Sequence, residues 1–200
     1  MSMKVQADLT GLVLCGGQSS RMGTDKGLLS HNGKSWSVAI ADLIGDHVPD
    51  VFISLRKEQA PSYESMFKAS QMIFDQNDIQ VNGPLKGLLS AHRDFPDKNW
   101  LVVACDMISI SSEILYKLVK AFEKNPGYGS YMYKNQSNLE PLCGVYMKNK
   151  LNELFIKSKH ISDFSLVRNL NMNHCFVIEA DENDVAALRN YNKLRDYEIT

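Results

Sequence analysis

The sequence predicts an α/β fold, in which a mainly parallel sheet lies between two layers of helices. Short apolar runs of strand length alternate with segments of helical periodicity along the first half of the chain. The run at residues 100–105 is almost continuously apolar, which is typical of a central strand covered on both faces. Because consecutive parallel strands need crossover connections, we expect right-handed βαβ units.

Each predicted element has a local signal. Strands are predicted at residues 9–14, 51–55, 71–74, 100–105, 128–133 and 142–147, where β-branched and aromatic residues cluster. Helices are predicted at residues 35–44, 83–91, 111–122 and 151–157. Ser35 and Ser111 or Ser112 are suited to N-caps, and Pro84 is suited to a first helical turn. Pro126 and Gly127 end the third helix.

Composition limits the classes of function. The chain has 200 residues, 44% hydrophobic and 22% charged, which predicts a single domain over 1–200. A net charge of −1 predicts no general affinity for nucleic acid or for an anionic membrane. The sequence shows no apolar leader and no stretch of 18 apolar residues, so we expect a cytoplasmic protein. The four cysteines lie far apart in sequence without a C-x-x-C pair, which favours reduced, buried thiols.

A glycine-rich loop follows the first strand and is the most informative feature. Gly16, Gly17 and Gly23 allow tight turns that bring backbone N–H groups close to an anion. Arg21 and Lys26 add two positive side chains to the same loop. Because the loop lies at the carboxyl end of a buried strand, it is expected to bind polyphosphate there.

Two familiar phosphate-binding motifs do not fit this chain. The dinucleotide fingerprint requires Gly-x-Gly-x-x-Gly after the strand, whereas the glycines here are at 16, 17 and 23. The Walker loop needs four residues between its glycines, and the segment from Gly27 to Gly33 has five. The segment 33–35 is therefore interpreted as a turn before a helix N-cap at Ser35.

Aspartates at strand ends predict where a divalent cation binds. Asp106 directly follows an apolar strand, so its carboxylate is expected at the same edge as the glycine-rich loop. The alternative is a turn or capping aspartate. Asp75 follows another predicted strand, but Asp-Gln-Asn-Asp is also ordinary loop composition. Asp25 is expected to pair with Lys26 and to position it.

The motifs resemble those of the molybdenum cofactor guanylyltransferases, within the wider nucleotidyltransferase superfamily. The signature-like run is Leu-Cys-Gly-Gly-Gln-Ser-Ser-Arg-Met-Gly-Thr-Asp-Lys at residues 14–26. Further resemblances are the Gly-Pro-Leu-x-Gly segment at 83–87, the strand end at 103–107, the Pro-Leu segment at 140–146 and the Asn-x-Asn segment at 190–197. The resemblance implies a Rossmann-like nucleotidyltransferase domain with an N-terminal nucleotide-binding part and a C-terminal acceptor-binding part.

The resemblance also implies roles for individual residues. The nucleotide-binding positions are Leu14, Cys15, Gly16, Gly17, Lys26, Ser54, Asp75 and Asp106. The catalytic positions are Lys26 and Asp106, with Asp106 holding Mg²⁺ as the cofactor, and Asn190 and Asn192 fall at the acceptor-binding motif. Arg21 is predicted as a further catalytic residue from the loop itself, because its charge would help to stabilise the departing pyrophosphate. The implied partners are GTP, molybdopterin and the proteins that deliver the cofactor or receive it.

Two departures from the family pattern keep alternatives open. Ser54 stands where the family often has asparagine, and Lys193-Leu194 replaces Thr-Pro in the terminal motif. The leading hypothesis is transfer of GMP from GTP to the phosphate of molybdopterin, with release of pyrophosphate. One alternative is cytidylyl transfer to molybdopterin or another phosphorylated acceptor. The alternative of another class is a non-catalytic nucleotide-binding or adaptor protein.

Overall fold

The computed structural model describes residues 8–16, 25–136, 138–160, 165–169 and 174–191. Over these residues the strands are β1 (Leu9–Leu14), β2 (Ser30–His31), β3 (Lys34–Ser35), β4 (Val51–Leu55), β5 (Met72–Phe74), β6 (Asn99–Ala104), β7 (Ser130–Asn135), β8 (Asn138–Tyr146) and β9 (Cys175–Glu179). The helices are α1 (Trp36–Gly45), α2 (Ala60–Tyr63), α3 (Pro84–Asp94), α4 (Ser112–Lys124), α5 (Lys148–Lys157), α6 (Leu166–Asn169) and α7 (Glu182–Ala187). Three single-turn 3₁₀ helices lie at Lys26–Leu28, Lys57–Gln59 and Ala69–Gln71.

Seven of the described strands form one sheet in the order β5-β4-β1-β6-β8-β7-β9. The pairs β5–β4, β4–β1, β1–β6 and β7–β9 are parallel, whereas β8 is antiparallel to both of its neighbours. The prediction of a mainly parallel, mixed sheet is therefore confirmed. The single-domain prediction over the whole chain stays a prediction.

Helices cover both faces of the sheet, and strand β1 shows how. Its alternate residues Leu9 and Val13 belong to a core that includes residues of α1 and α4. Leu12 and Leu14 face the opposite core, which includes residues of α3 and α5. All six residues of β1 are buried, as expected for a central parallel strand. The three-layer architecture follows from this burial on both sides.

The register brings four strand ends to one level. Leu14 of β1 pairs with Ser54 of β4 and with Ala104 of β6, and Ser54 pairs with Ile73 of β5. The residues that follow these strands therefore emerge side by side at the carboxyl edge of the sheet, where open α/β sheets bind their ligands.

Several local predictions are confirmed by the structure. The Ser35 hydroxyl accepts the Val38 N–H at 3.4 Å, so Ser35 is the N-cap of α1. Segment 33–35 belongs to the β2–β3 hairpin, whose turn residues Asn32 and Gly33 have φ of 51° and 78°. Ser111 is the N-cap of α4.

The distal part of the sheet was not predicted from the sequence. Strand β9 and helix α7 have no counterpart among the predicted elements, and β8 begins earlier than expected. Strand β9 is five residues long and, among the described strands, pairs with β7 alone. A short apolar run of this kind carries little periodic signal, so its place depends on the partner that it meets. No helix in the described part of the chain is both long and apolar enough to cross a membrane.

Candidate functional site

A cleft with a cavity volume of about 140 Å³ opens at the carboxyl edge of the sheet. Its described lining comes from the ends of β1, β4, β5 and β6, from the start of α3 and from β8. The lining residues are Leu14, Cys15, Gly16, Lys26, Ser54, Asp75, Gly83, Pro84, Gly87, Ala104, Cys105, Asp106 and Leu142. Seven of the positions predicted from the sequence to bind nucleotide therefore lie around one cavity.

Lys26 and Asp106 meet in this cleft, although 80 residues separate them in sequence. The Lys26 Nζ donates to Asp106 Oδ2 at 2.8 Å, and the two side chains are 20% and 16% exposed. Asp106 Oδ1 is buried and has no hydrogen-bond partner among the described residues. A buried, unpartnered carboxylate oxygen is costly unless a cation or a donor arrives to satisfy it. The pair therefore places one positive and one negative group side by side in the cleft.

Asp75 is a second carboxylate that the fold leaves unsatisfied. Its Oδ1 is buried without a partner among the described residues, and a Cβ at Gly16 would lie 3.7 Å from each of its two oxygens. Burial raises the pKa of Asp75 to about 6, and the charge of Glu58 acts in the same direction. The positive charges of Lys86 and Arg56 oppose this rise. Perturbed carboxylates of this kind occur most often at functional sites.

Ser54 lies on β4 and is completely buried beneath helix α3. Its hydroxyl has no hydrogen-bond partner in the described structure, although Ser54 lines the cleft. A Cβ at Gly87 would come within 2.4 Å of the Ser54 Oγ and 3.2 Å of the Leu14 Cδ2. Only glycine at position 87 therefore allows α3 to pack this closely on the sheet. Gly83, the N-cap of α3, has a positive φ of 66°, which favours glycine there as well.

A hydrogen-bonded network fixes the chain beside Lys26. Asp25 is the N-cap of the 3₁₀ helix Lys26–Leu28. Its carboxylate also accepts from Gln59 Nε2 at 2.5 Å and from the Tyr63 hydroxyl at 2.9 Å. Gln59 Nε2 donates in addition to the carbonyl of Cys15 at 3.3 Å. The expected ion pair between Asp25 and Lys26 is therefore wrong: Asp25 binds the segment after β4, and Lys26 pairs with Asp106.

Gln59 and Tyr63 are functional-site residues that sequence reasoning missed. Both are buried, and they stand four residues apart at the start and end of one helical turn. The spacing of four was their only signal in the sequence, and it is common to all helices.

The Cys105 thiol lines the cleft and is a candidate nucleophile by position alone. All four cysteines are free and buried, as predicted. The hydrogen bond with Cys15, burial and the nearby carboxylates raise the pKa of the Cys105 thiol well above its usual value. Cys105 therefore stays protonated near neutral pH and supplies no thiolate nucleophile.

The acceptor-side and remaining loop predictions fall partly outside the described residues. Asn190 is exposed and precedes Tyr191, whose backbone N–H donates to the carbonyl of Asp106 at 2.9 Å. Gly17, Arg21 and Asn192 lie outside the described residues, so their predicted roles stay predictions.

Comparison with protein families gives a match over most of the chain. The profile of the MobA-like NTP transferase domain matches residues 11–160, which include the last four residues of β1, the cleft and β8. The chain belongs to the MobA-like NTP transferase family.

Individual relatives of this MobA-like chain agree with the assignment. It is 33% identical to a molybdenum cofactor biosynthesis bifunctional protein of Synechocystis, over 96% of this chain and 53% of that protein. This chain thus spans about half of that relative. It is 28% identical to a probable molybdenum cofactor guanylyltransferase of Methanothermobacter thermautotrophicus, over 94% of this chain and 96% of that protein.

A solved structure shows the same fold. The molybdopterin-guanine dinucleotide biosynthesis protein A of Archaeoglobus fulgidus superposes with a TM-score of 0.77 and 22% identity, over 95% of each chain. The Rossmann-like nucleotidyltransferase fold expected from the sequence is confirmed by this likeness.

Proposed function

We propose that this chain transfers the GMP moiety of GTP to the phosphate of molybdopterin, forming the guanine dinucleotide cofactor and pyrophosphate. The observation that carries the proposal is the pairing of Lys26 with Asp106 in a cleft at the carboxyl edge of the sheet. The names of the curated relatives, which include several guanylyltransferases, favour GTP over CTP. The expected location is the cytoplasm, and proteins that deliver the cofactor or accept its product are the proposed protein partners.

The reaction requires alignment and charge neutralisation more than proton transfer. A phosphate monoester loses its second proton near a pKa of about 6, so the acceptor is already a nucleophilic oxyanion at neutral pH. Its oxygen forms a bond to the α-phosphorus of GTP while the bond between that phosphorus and the bridging oxygen breaks. The electron pair leaves with pyrophosphate. The described lining of the cleft contains no histidine, which agrees with a reaction that needs no general base.

The residues of the cleft divide this work. We assign the phosphates to Lys26 and to the backbone N–H groups of the glycine-rich loop, with Arg21 as a second cation. Lys26 stabilises charge on the departing pyrophosphate, since a fixed ammonium needs no reorganisation as that charge develops. Asp75 is assigned to the nucleoside, because its buried oxygen can accept a hydrogen bond from a sugar hydroxyl or from a base N–H. Asn190 and Asn192 are assigned to the acceptor.

Asp106 fits the Mg²⁺ that such a reaction implies. Among the described residues no cluster of three or more acidic, histidine or cysteine side chains could hold a metal ion. Mg²⁺ bound to nucleotide, however, needs only one or two carboxylates, because phosphate oxygens and water complete its shell. The unpartnered Asp106 Oδ1 is a suitable ligand. When bound, the ion would neutralise phosphate charge and polarise the α-phosphate.

The decisive experiment is to incubate purified protein with Mg²⁺ and molybdopterin, and to offer GTP, CTP and ATP in parallel. Pyrophosphate release and product mass are measured together. We expect a guanine dinucleotide from GTP alone. A cytosine product would replace the proposal with the sister activity, and nucleotide binding without turnover would replace it with the adaptor function.

Variants make the same assay specific to the site. Asp106→Asn keeps the shape of the side chain but removes its charge, so we expect loss of turnover with retained folding. Asp42→Asn is the matched control, because Asp42 is exposed on α1 and pairs with Lys34 away from the cleft. Equal activity of the two variants would contradict the assignment of Asp106.

A further inference from the structure

Tyr191 links the C-terminal part of the chain to the turn that carries Asp106. Its backbone N–H donates to the Asp106 carbonyl at 2.9 Å. Its hydroxyl accepts from Ser109 Oγ, also at 2.9 Å. Tyr191 is only 5% exposed. It therefore contacts one short turn at two points, three residues apart.

The turn itself is compact and begins directly where β6 ends. The Met107 N–H donates to the Ala104 carbonyl at 3.2 Å, and the Ile110 N–H donates to the Met107 carbonyl at 3.0 Å. Neither bond involves the carbonyl of Asp106, which the Tyr191 N–H satisfies. The orientation of the Asp106 residue thus depends on a contact from the other end of the sequence.

Helix α7 brings Tyr191 to this place. Lys117 on α4 binds Asp184 at 2.8 Å and Asp181 at 3.5 Å, which fastens the start of α7 to α4. The Asp184 side chain is only 6% exposed, so this ion pair is partly shielded from water. Leu188, 2% exposed, then anchors the end of the helix in the main core. Tyr191 follows three residues later, so its path to the turn is short and defined.

We infer that Tyr191 is a positioning residue that sets the acceptor side of the cleft against Asp106. The inference rests on the proposed function, because it assigns the exposed neighbour Asn190 to the acceptor. The Tyr191 N–H binds the carbonyl of Asp106, which is assigned to the nucleotide. Asn190, the residue before Tyr191, is assigned to the acceptor. A transfer between two bound phosphates depends on their separation and alignment, so a contact that fixes both sides affects turnover directly.

The test uses the Tyr191→Phe and Ser109→Ala variants of the full chain, singly and together. Each removes the same hydroxyl contact, while the phenylalanine keeps the ring and the backbone N–H. Tyr131→Phe is the matched control, because the Tyr131 hydroxyl donates to the Asn125 carbonyl at 2.7 Å away from the cleft. For each variant, kcat/KM is measured against molybdopterin at saturating GTP, and the Kd of GTP is measured by calorimetry.

We expect kcat/KM for molybdopterin to fall about 3- to 10-fold in either cleft variant, which is the size expected for one hydrogen bond. The double variant should lose no more than each single one, since the same contact is removed. The melting temperature should stay at the value of the control. The Kd of GTP shows how far the Asp106 turn also affects nucleotide binding, and kinetics equal to those of the control would overturn the inference.

Hydrogen exchange separates this inference from the proposed function. Tyr191→Phe should speed amide exchange in residues 105–110 relative to the control, and unchanged exchange there would overturn the inference. If the wild-type protein forms no dinucleotide, the proposed function fails, while the exchange result still decides whether Tyr191 holds the Asp106 turn.

Discussion

Replacement of Asp75 by asparagine should stabilise the protein above neutral pH while it impairs nucleotide binding. Asp75 has a buried carboxylate oxygen with no hydrogen-bond partner in the described part of the chain, and burial raises the pKa of Asp75 to about 6. An acid whose pKa is higher in the folded state binds more protons when folded. The free energy of unfolding therefore falls as pH rises between the ordinary pKa near 3.8 and the folded value near 6.

The magnitude follows from the same pKa values. A rise from 3.8 to about 6 corresponds to an upper limit of about 3 kcal/mol at pH 8. The side chain is only part-buried, so screening by solvent reduces the expected effect to about 1–2 kcal/mol. Asp75→Asn removes this charge at nearly constant volume. The difference in stability between variant and wild type should grow by that amount from pH 4 to pH 8.

Urea unfolding at pH 4, 5, 6, 7 and 8 measures the effect. A difference in the free energy of unfolding that is the same at every pH reports the effect of the new amide. The part of the difference that changes with pH reports the effect of the Asp75 charge. Asp97→Asn, at an exposed loop position, controls for the general effect of losing a surface carboxylate. A difference that is flat with pH, or a wild type that gains stability relative to Asp75→Asn as pH rises, would refute the reasoning. Calorimetry at pH 8 should show weaker GTP binding by the same variant.

Three further predictions concern the cleft. Lys26→Ala should lower kcat for pyrophosphate release about 10²–10³-fold, because a fixed positive charge is lost. Lys34→Ala, at an exposed position, should leave kcat unchanged. Equal rates of the two variants would contradict the role of Lys26. Gly87→Ala should destabilise the protein by about 1–3 kcal/mol in urea unfolding, because its Cβ would lie 2.4 Å from Ser54 Oγ. Gly45→Ala, whose Cβ would meet its nearest neighbour at 3.9 Å, serves as the neutral control, and similar stabilities would show that α3 can shift. Removal of divalent cations with EDTA should abolish turnover and added Mg²⁺ should restore it, and activity in EDTA would exclude the proposed cofactor.

Local sequence patterns were sufficient to predict the strands whose ends form the cleft. The continuous apolar run before Asp106 predicted a central strand, and the strand ends where the carboxylate was expected. The position of Asp75 after a short strand was predicted in the same way. The placement of both at one edge follows from the parallel arrangement of their strands, which short apolar runs joined by helices dictate. The roles assigned to these residues rest on the proposed function.

Contacts between distant segments could not be predicted in this way. The link from Gln59 to Asp25 joins residues 34 apart, and that from Ser109 to Tyr191 joins residues 82 apart. Neither pair has a local pattern that distinguishes it from ordinary polar residues on helices and loops. Asp25 was expected to act through its neighbour in sequence, and the structure shows that it acts through the segment after β4.

The sequence by itself determined the alternation of strands and helices, the glycine-rich loop and the aspartates at strand ends. These features depend on periodicity, caps and turns, which are encoded within a few residues of each other. The tertiary structure alone decided that β9 joins the sheet at its far edge, that Lys26 reaches Asp106 and that Tyr191 returns to the Asp106 turn. These outcomes depend on how whole elements pack, because packing selects which of many similar polar groups come within hydrogen-bond distance.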